Sequence, residues 1–208
     1  MLEILETYRE INSKFMADGI LVPEAYAKAS TKILWILKEP YGDLPVHYGD
    51  DIQKRIDGKK KDSVHTWQRM ALASYMILKK IKEIDQVPLW SIYGDSLKEL
   101  AIINVKKHSG SSTTNMVEFS KFYKRHRKIL SEIIKNQISE INPDIVIGGG
   151  TLKLIKDDLG ERNELGRGHF QIGNRLFINT WHPAQRRLNL FKYSNMVAGR
   201  TAELLEAI

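Results

Sequence analysis

The chain has 208 residues, 42% hydrophobic and 27% charged, enough for a substantial core, and no stretch approaches the roughly 20 apolar residues of a membrane span. It contains no cysteine, which excludes disulfides, thiolate nucleophiles, cysteine-zinc sites and ordinary iron-sulfur clusters. Lys and Arg number 32 against 25 Asp and Glu, for a net charge of +7 and a pI near 9.4, a balance that suits a polyanionic partner.

Nothing in the length demands a second unit, so residues 1–208 read as one domain. Leu2 to Phe15 places apolar residues at helical spacing among Glu3, Glu6, Arg9 and Glu10. That predicts an opening helix, unlike the basic start and apolar run of an export signal, and a cytoplasmic location is expected. Ile33-Leu34-Trp35-Ile36-Leu37 is the first of four short apolar runs bounded by turn residues. The others are Leu100-Ala101-Ile102-Ile103, Ile145-Val146-Ile147 and Leu176-Phe177-Ile178. Each has strand length, and continuous rather than alternating hydrophobicity marks strands covered on both faces.

Helical stripes separate the runs. Trp67, Ala71, Ser74, Leu78, Ile81 and Ile84 recur at spacings of three and four, as do Phe119, Phe122, His126, Leu130, Ile133, Ile134 and Ile138. Asn195 to Ile208 forms a closing helix through Met196, Val197, Leu204 and Leu205. The alternation predicts an α/β fold: a three-layer α/β/α sandwich with a mostly parallel, four-stranded central sheet. Ligands of such folds bind beyond the carboxyl ends of the strands.

The four strand ends carry the polar chemistry. The first runs into Lys38-Glu39-Pro40-Tyr41, where Glu39 can act as a base or support positive charge, Pro40 holds the turn and Tyr41 offers a pocket wall. A surface turn with Glu39 paired to a lysine is the plainer alternative. The second ends in Asn104-Val105-Lys106-Lys107-His108. Asn104 carries both donor and acceptor, suited to an imide edge or to loop support. Lys106 and Lys107 suit a phosphate or a solvated turn.

Asn142-Pro143-Asp144 introduces the third strand and Gly148-Gly149-Gly150 follows it, allowing close approach to a ligand or to the next helix. The fourth delivers Trp181-His182-Pro183-Ala184-Gln185-Arg186-Arg187, with a histidine able to donate to a developing anion. Lys121 to Lys128 forms a basic helix face, read first as solvated.

In their order these segments resemble the uracil-DNA glycosylase superfamily, from the first strand to the arginines after His182. Lys38-Glu39-Pro40-Tyr41 is similar to its first motif, and Ile102-Ile103-Asn104-Val105-Lys106 to the segment whose Asn faces the flipped base. Asn142 to Gly149 is similar to the third, and His182-Pro183 to the last. The resemblance implies a flipped nucleotide read on its Watson-Crick edge. Glu39 and His182 would be catalytic, the first supporting an oxocarbenium-like sugar and the second donating to uracil O2.

By the same resemblance Pro40, Tyr41, Asn104 and Pro183 line the base site. Lys106, Lys107, Gly149, Arg186 and Arg187 meet the DNA, and no metal, iron-sulfur cluster or other cofactor is required. The chain departs from the family pattern where Leu37-Lys38-Glu39 stands for Gly-Gln-Asp and where Ala184-Gln185-Arg186 follows His-Pro. Tyr48 and Trp67 are candidates to stack on the base. Two alternatives stay open: a nucleic-acid-binding protein of this fold without cleavage, and a nucleotide-binding enzyme acting on small phosphorylated substrates, resting on Gly148-Gly149-Gly150 and the polar loop Ser109 to Asn115.

Overall fold

Apolar runs bury both faces of a strand only when helices close the sheet from above and below. A computed structural model describes residues 6–40, 53–54, 65–110 and 114–208. In chain order the elements are β1 (Gly19–Ile20), α1 (Pro23–Lys28), β2 (Ile33–Leu37), α2 (His65–Leu78), α3 (Leu89–Lys98) and β3 (Leu100–Asn104). They continue with α4 (Met116–Arg125), α5 (Arg127–Ile141), β4 (Ile145–Gly149), α6 (Leu152–Ile155), β5 (Asn163–Gly166), β6 (His169–Ile172), β7 (Arg175–Thr180) and α7 (Leu190–Ala207).

All four expected strands form, as β2, β3, β4 and β7, mutually parallel in the spatial order β3-β2-β4-β7. The expected four-stranded sheet is corrected to a mixed one of seven, ordered β1-β3-β2-β4-β7-β6-β5. β1 adds antiparallel to one edge, and the hairpins β5-β6 and β6-β7 extend the other. The turn between β5 and β6 uses Arg167 and Gly168, both with positive φ (52° and 80°), as tight hairpins require. These three strands are short and partly polar, so they lack the apolar run that marks the others.

In-register pairing sorts the strand residues into two layers. Ile33, Trp35, Leu37, Leu100, Ile102, Ile145, Ile147, Leu176 and Ile178 face α2, α3 and α7. Leu34, Ile36, Ala101, Ile103, Val146 and Phe177 face α4, α5 and α6. Each fully buried aliphatic side chain contributes roughly 1.5–3 kcal/mol, and within the first layer the Trp35 indole N–H is satisfied by Ser74 Oγ at 3.0 Å.

Caps fix the helix ends. The Asn115 side chain accepts from the N–H of Val117 and Glu118 to start α4, and Asn189 accepts from Lys192 N–H to start α7. Asn142 closes α5 in the left-handed region (φ 46°), and Asp144 then pins β4 by accepting from Lys32 N–H at 2.7 Å.

The second helical stripe is two helices, because the chain turns at His126 (φ −109°, ψ 19°) between α4 and α5. The closing helix starts earlier than expected, at Leu190. In the opening segment, the described part begins with Glu6 in helical conformation and continues as a 3-10 turn at Thr7–Glu10. Connections from β2 to β3 cross one face through α2 and α3, and those from β3 to β4 cross the other through α4 and α5. The strand order therefore reverses beside β2, where crevices of such sheets open at the carboxyl edge. No helix among the described residues is long and apolar enough to cross a membrane.

Candidate functional site

The parallel ladder carries the ends of β2 and β3 past their last strand residues. Val105 N–H donates to Leu37 O, Lys106 N–H to Lys38 O, and Gly110 N–H to Pro40 O, each at 2.9 Å. The loop after β3 is thereby folded over Glu39. A Cβ on Gly110 would lie 2.0 Å from Glu39 Cδ, so only glycine lets the loop pass this close. The Glu39 carboxylate, 8% exposed, accepts from Lys106 Nζ at 2.6 Å.

Lys106 also lies over the Phe122 ring, 5.8 Å from its centroid. Glu39, Lys106, His108, Phe122, Arg125 and His126 belong to the wall of a cavity of about 640 Å³ between the strand ends and α4. His108 Nδ1 and the Tyr8 hydroxyl form a hydrogen bond at 2.8 Å, its direction set by the ring tautomer. Burial, with help from Lys106, lowers the His108 pKa to about 4.

Asn104 ends β3 with its side chain fully buried. Its backbone N–H donates to Asp18 Oδ2 at 2.6 Å and its Nδ2 to the same oxygen at 3.4 Å, while Oδ1 has no hydrogen-bond partner among the described residues. The expectation that Lys107 meets DNA is corrected. Its ammonium is fully buried, 2.8 Å from Asp18 Oδ1 and 2.6 Å from Gln137 Oε1, and an ion buried and paired in this way is not free to meet a phosphate.

Gly149 is corrected as well. It is buried, and a Cβ there would meet Leu37 Cδ2 at 2.9 Å and Pro183 Cδ at 3.0 Å. The glycine thus lets the end of β4 pack between the loops after β2 and β7 rather than facing a nucleic acid. Trp67 is also removed from the base site, since it is 6% exposed within the core layer. Tyr41 and Tyr48 lie outside the described residues.

Beyond β7 the chain is held at every step. Gly150 N–H donates to Thr180 O at 2.8 Å, the Tyr193 hydroxyl to Trp181 O at 2.8 Å, and Gln185 N–H to His182 O at 2.9 Å. Arg69 of α2, 6% exposed, donates to the carbonyls of Pro183 (2.6 Å), Gln185 and Leu188 (2.7 Å). Sequence reasoning missed Arg69; the signal was a charge inside a helix turn, Trp67 to Ser74, that is otherwise nearly all apolar.

His182 Nδ1 accepts from Ala184 N–H at 3.1 Å, so the neutral ring carries its proton on Nε2. Burial, and secondarily the charge of Lys38, lowers its pKa to about 3. Pro183 is buried behind it, whereas Arg186 and Arg187 are exposed. Glu39, Asn104 and His182 thus all come to the carboxyl edge of the parallel strands, as expected from the sequence. Of these residues only Glu39 lines the large cavity.

Among the described residues no group of three or more His, Asp or Glu is placed to hold a metal ion. What remains is acid-base and hydrogen-bond chemistry: one ion-paired carboxylate, two neutral imidazoles and one buried amide whose Oδ1 has no partner among the described residues. No protein-family model matches the sequence, and no curated protein matches it.

Proposed function

We propose that this protein is an N-glycosyl hydrolase of the uracil-DNA glycosylase type, removing uracil or a related damaged base from DNA after the nucleotide leaves the stack. The observation that carries this reading is His182. Its tautomer is set by Ala184 N–H, and its ring stays neutral down to about pH 3. A neutral donor fixed beyond a strand end suits the oxyanion that develops on a departing base, and it needs no reorganisation as the charge appears.

In this mechanism Glu39 supports the electron-poor sugar or orients the attacking water, with Lys106 holding its carboxylate in place. Asn104 is fully buried against Asp18 and is assigned the role of fixing the end of β3 rather than of meeting the base. Arg186 and Arg187 meet the phosphates. The test is release of free base from single-stranded, matched and mismatched oligonucleotides carrying uracil or deaminated purines. His182→Ala is expected to lose on the order of 10²–10³ in rate, and Glu39→Gln to lose activity as well.

One observation favours a second reading, a nucleic-acid-binding protein of the same fold without cleavage: the Glu39 carboxylate is already engaged by Lys106 at 2.6 Å. Salt-sensitive binding of the same oligonucleotides with no base released would select it.

A further inference from the structure

Large aromatic side chains on the surface are informative when the backbone beneath them is rigid, because no local fluctuation can tuck them away. Trp181 is such a residue. It directly precedes His182 and is 47% exposed, yet its carbonyl is fixed by the Tyr193 hydroxyl and the preceding carbonyl by Gly150 N–H. Arg69 then clamps the chain that follows.

The guanidinium of Arg187 lies 5.8 Å from the Trp181 ring centroid, and the ring keeps its exposure in spite of that cover. Trp181 also lines a cavity of about 240 Å³ with Arg167, His169, Asn179, Met196 and Arg200. Met196 is itself 38% exposed, so an apolar floor of indole and thioether is rimmed by two arginines, Arg167 and Arg200, with Arg187 over the indole. Arg200 also pairs with Glu203 at 2.7 Å on the surface of α7, an exposed pair worth little and readily exchanged for a phosphate. The cationic character of the pocket is felt by His169, whose pKa is lowered by burial and then by Arg200 and Arg167.

We propose that Trp181 is a stacking platform for an unpaired base of single-stranded nucleic acid, with Arg167, Arg187 and Arg200 set for the phosphates beside it. An aromatic ring among arginines accepts any base through its π-face, provided that the base is not already stacked in a duplex. The site lies on the α7 side of the sheet, whereas the Glu39 cavity lies on the α4 side. The strand would therefore be anchored at a place separate from the Glu39 cavity. The choice of nucleic acid as partner rests on the glycosidase reading; the stacking itself does not require cleavage.

The experiment titrates the full chain with a short oligothymidylate that contains no uracil, following intrinsic tryptophan fluorescence and the anisotropy of a labelled strand. Wild-type protein is expected to show quenching. Trp181→Ala abolishes it and weakens binding about tenfold, Trp181→Phe retains part of the affinity, and Arg167→Gln with Arg200→Gln flattens the salt dependence. Because Trp181 is exposed, its replacement leaves the unfolding midpoint in place.

Equal affinity of wild type and Trp181→Ala overturns the platform, as does equally tight binding of the same sequence as a duplex. Trp181-dependent binding in a protein that releases no base supports the platform and counts against the glycosidase reading alone. Base release with binding indifferent to Trp181 does the reverse.

Discussion

Arg69 donates through Nη1 to the carbonyl of Pro183 at 2.6 Å, joining the middle of α2 to the residue that follows the candidate catalytic histidine. The same guanidinium reaches Gln185 and Leu188, and lies over the Tyr193 ring at 5.7 Å. The loop bearing His182 is thus positioned by a buried fork as well as by its own turn hydrogen bonds.

Replacing Arg69 tests that dependence. Arg69→Met leaves the carbonyls of Pro183 and Gln185 without this donor, while that of Leu188 keeps Gln185 Nε2 at 3.2 Å, and each unsatisfied buried group costs roughly 1–3 kcal/mol. The expected outcome is a loss of about 3 kcal/mol in urea unfolding, with faster hydrogen exchange at Ala184 and Gln185. Arg69→Lys keeps the charge but not the planar fork, so it recovers only part of the loss. Unchanged exchange in both variants would show that the loop holds itself.

Gly110 sets the position of Glu39. A methyl group there would lie 2.0 Å from Glu39 Cδ, and the carboxylate would be driven off Lys106. A displacement of about 1 Å at a reacting group costs on the order of 10²-fold in rate. Gly110→Ala is expected to lower base release by about that factor while moving the unfolding midpoint little, since the atoms that must yield are the end of the Glu39 side chain. The measurement is base release beside thermal unfolding; full activity in a folded Gly110→Ala protein would remove Glu39 from the chemistry.

How much of this was legible in sequence follows from packing. β2, β3, β4 and β7 are covered on both faces, so their apolar runs stand out. β5 carries exposed residues on an edge and β1 spans only Gly19–Ile20, and neither burial pattern leaves a periodic mark. The turn at His126 is invisible because Phe122, His126 and Leu130 keep helical spacing across it. Lys106 and Lys107 are adjacent and identical in type, yet one reaches Glu39 and the other Asp18, a difference decided by the strand's alternation and by elements far apart in the chain. The order of motifs brought Glu39, Asn104 and His182 to one edge; the partner of each was set by tertiary contacts.

The histidines predict a pH dependence of stability. His182 titrates near pH 3 and His108 near pH 4 in the folded chain, against about 6.5 when unfolded. The unfolded state therefore binds more protons between these values, and stability rises with pH there. Their contribution is complete above about pH 6.5 and is lost as pH falls towards 4 and 3. The slope is at most about 1.4 kcal/mol per pH unit for each ring. His182→Gln and His108→Gln are each expected to flatten the urea midpoint between pH 4 and 6.5 relative to wild type. An unchanged slope in both would mean that the rings are charged in the fold. Activity should show no limb near pH 6.5 arising from His182.

Lys107 belongs to a closed network. Its Nζ donates to Asp18 and Gln137, Gln137 Nε2 donates to Asp18 Oδ1 at 2.9 Å, and Asp18 Oδ2 in turn receives Asn104 N–H at 2.6 Å. Removing the ammonium leaves a buried carboxylate uncompensated, which costs roughly 3–5 kcal/mol. Lys107→Met alone should therefore be strongly destabilised, and adding Asp18→Asn should restore much of the loss because the remaining groups are neutral. DNA binding by the double variant should keep the salt dependence of the wild type, since Lys107 does not meet a phosphate. Lys106→Met, by contrast, removes an ammonium that is 17% exposed and should change base release more than stability. If Lys107→Met were as stable as wild type, the ion pair could not be what fixes Asn104, and the position of that amide at the end of β3 would have to come from the strand pairing alone.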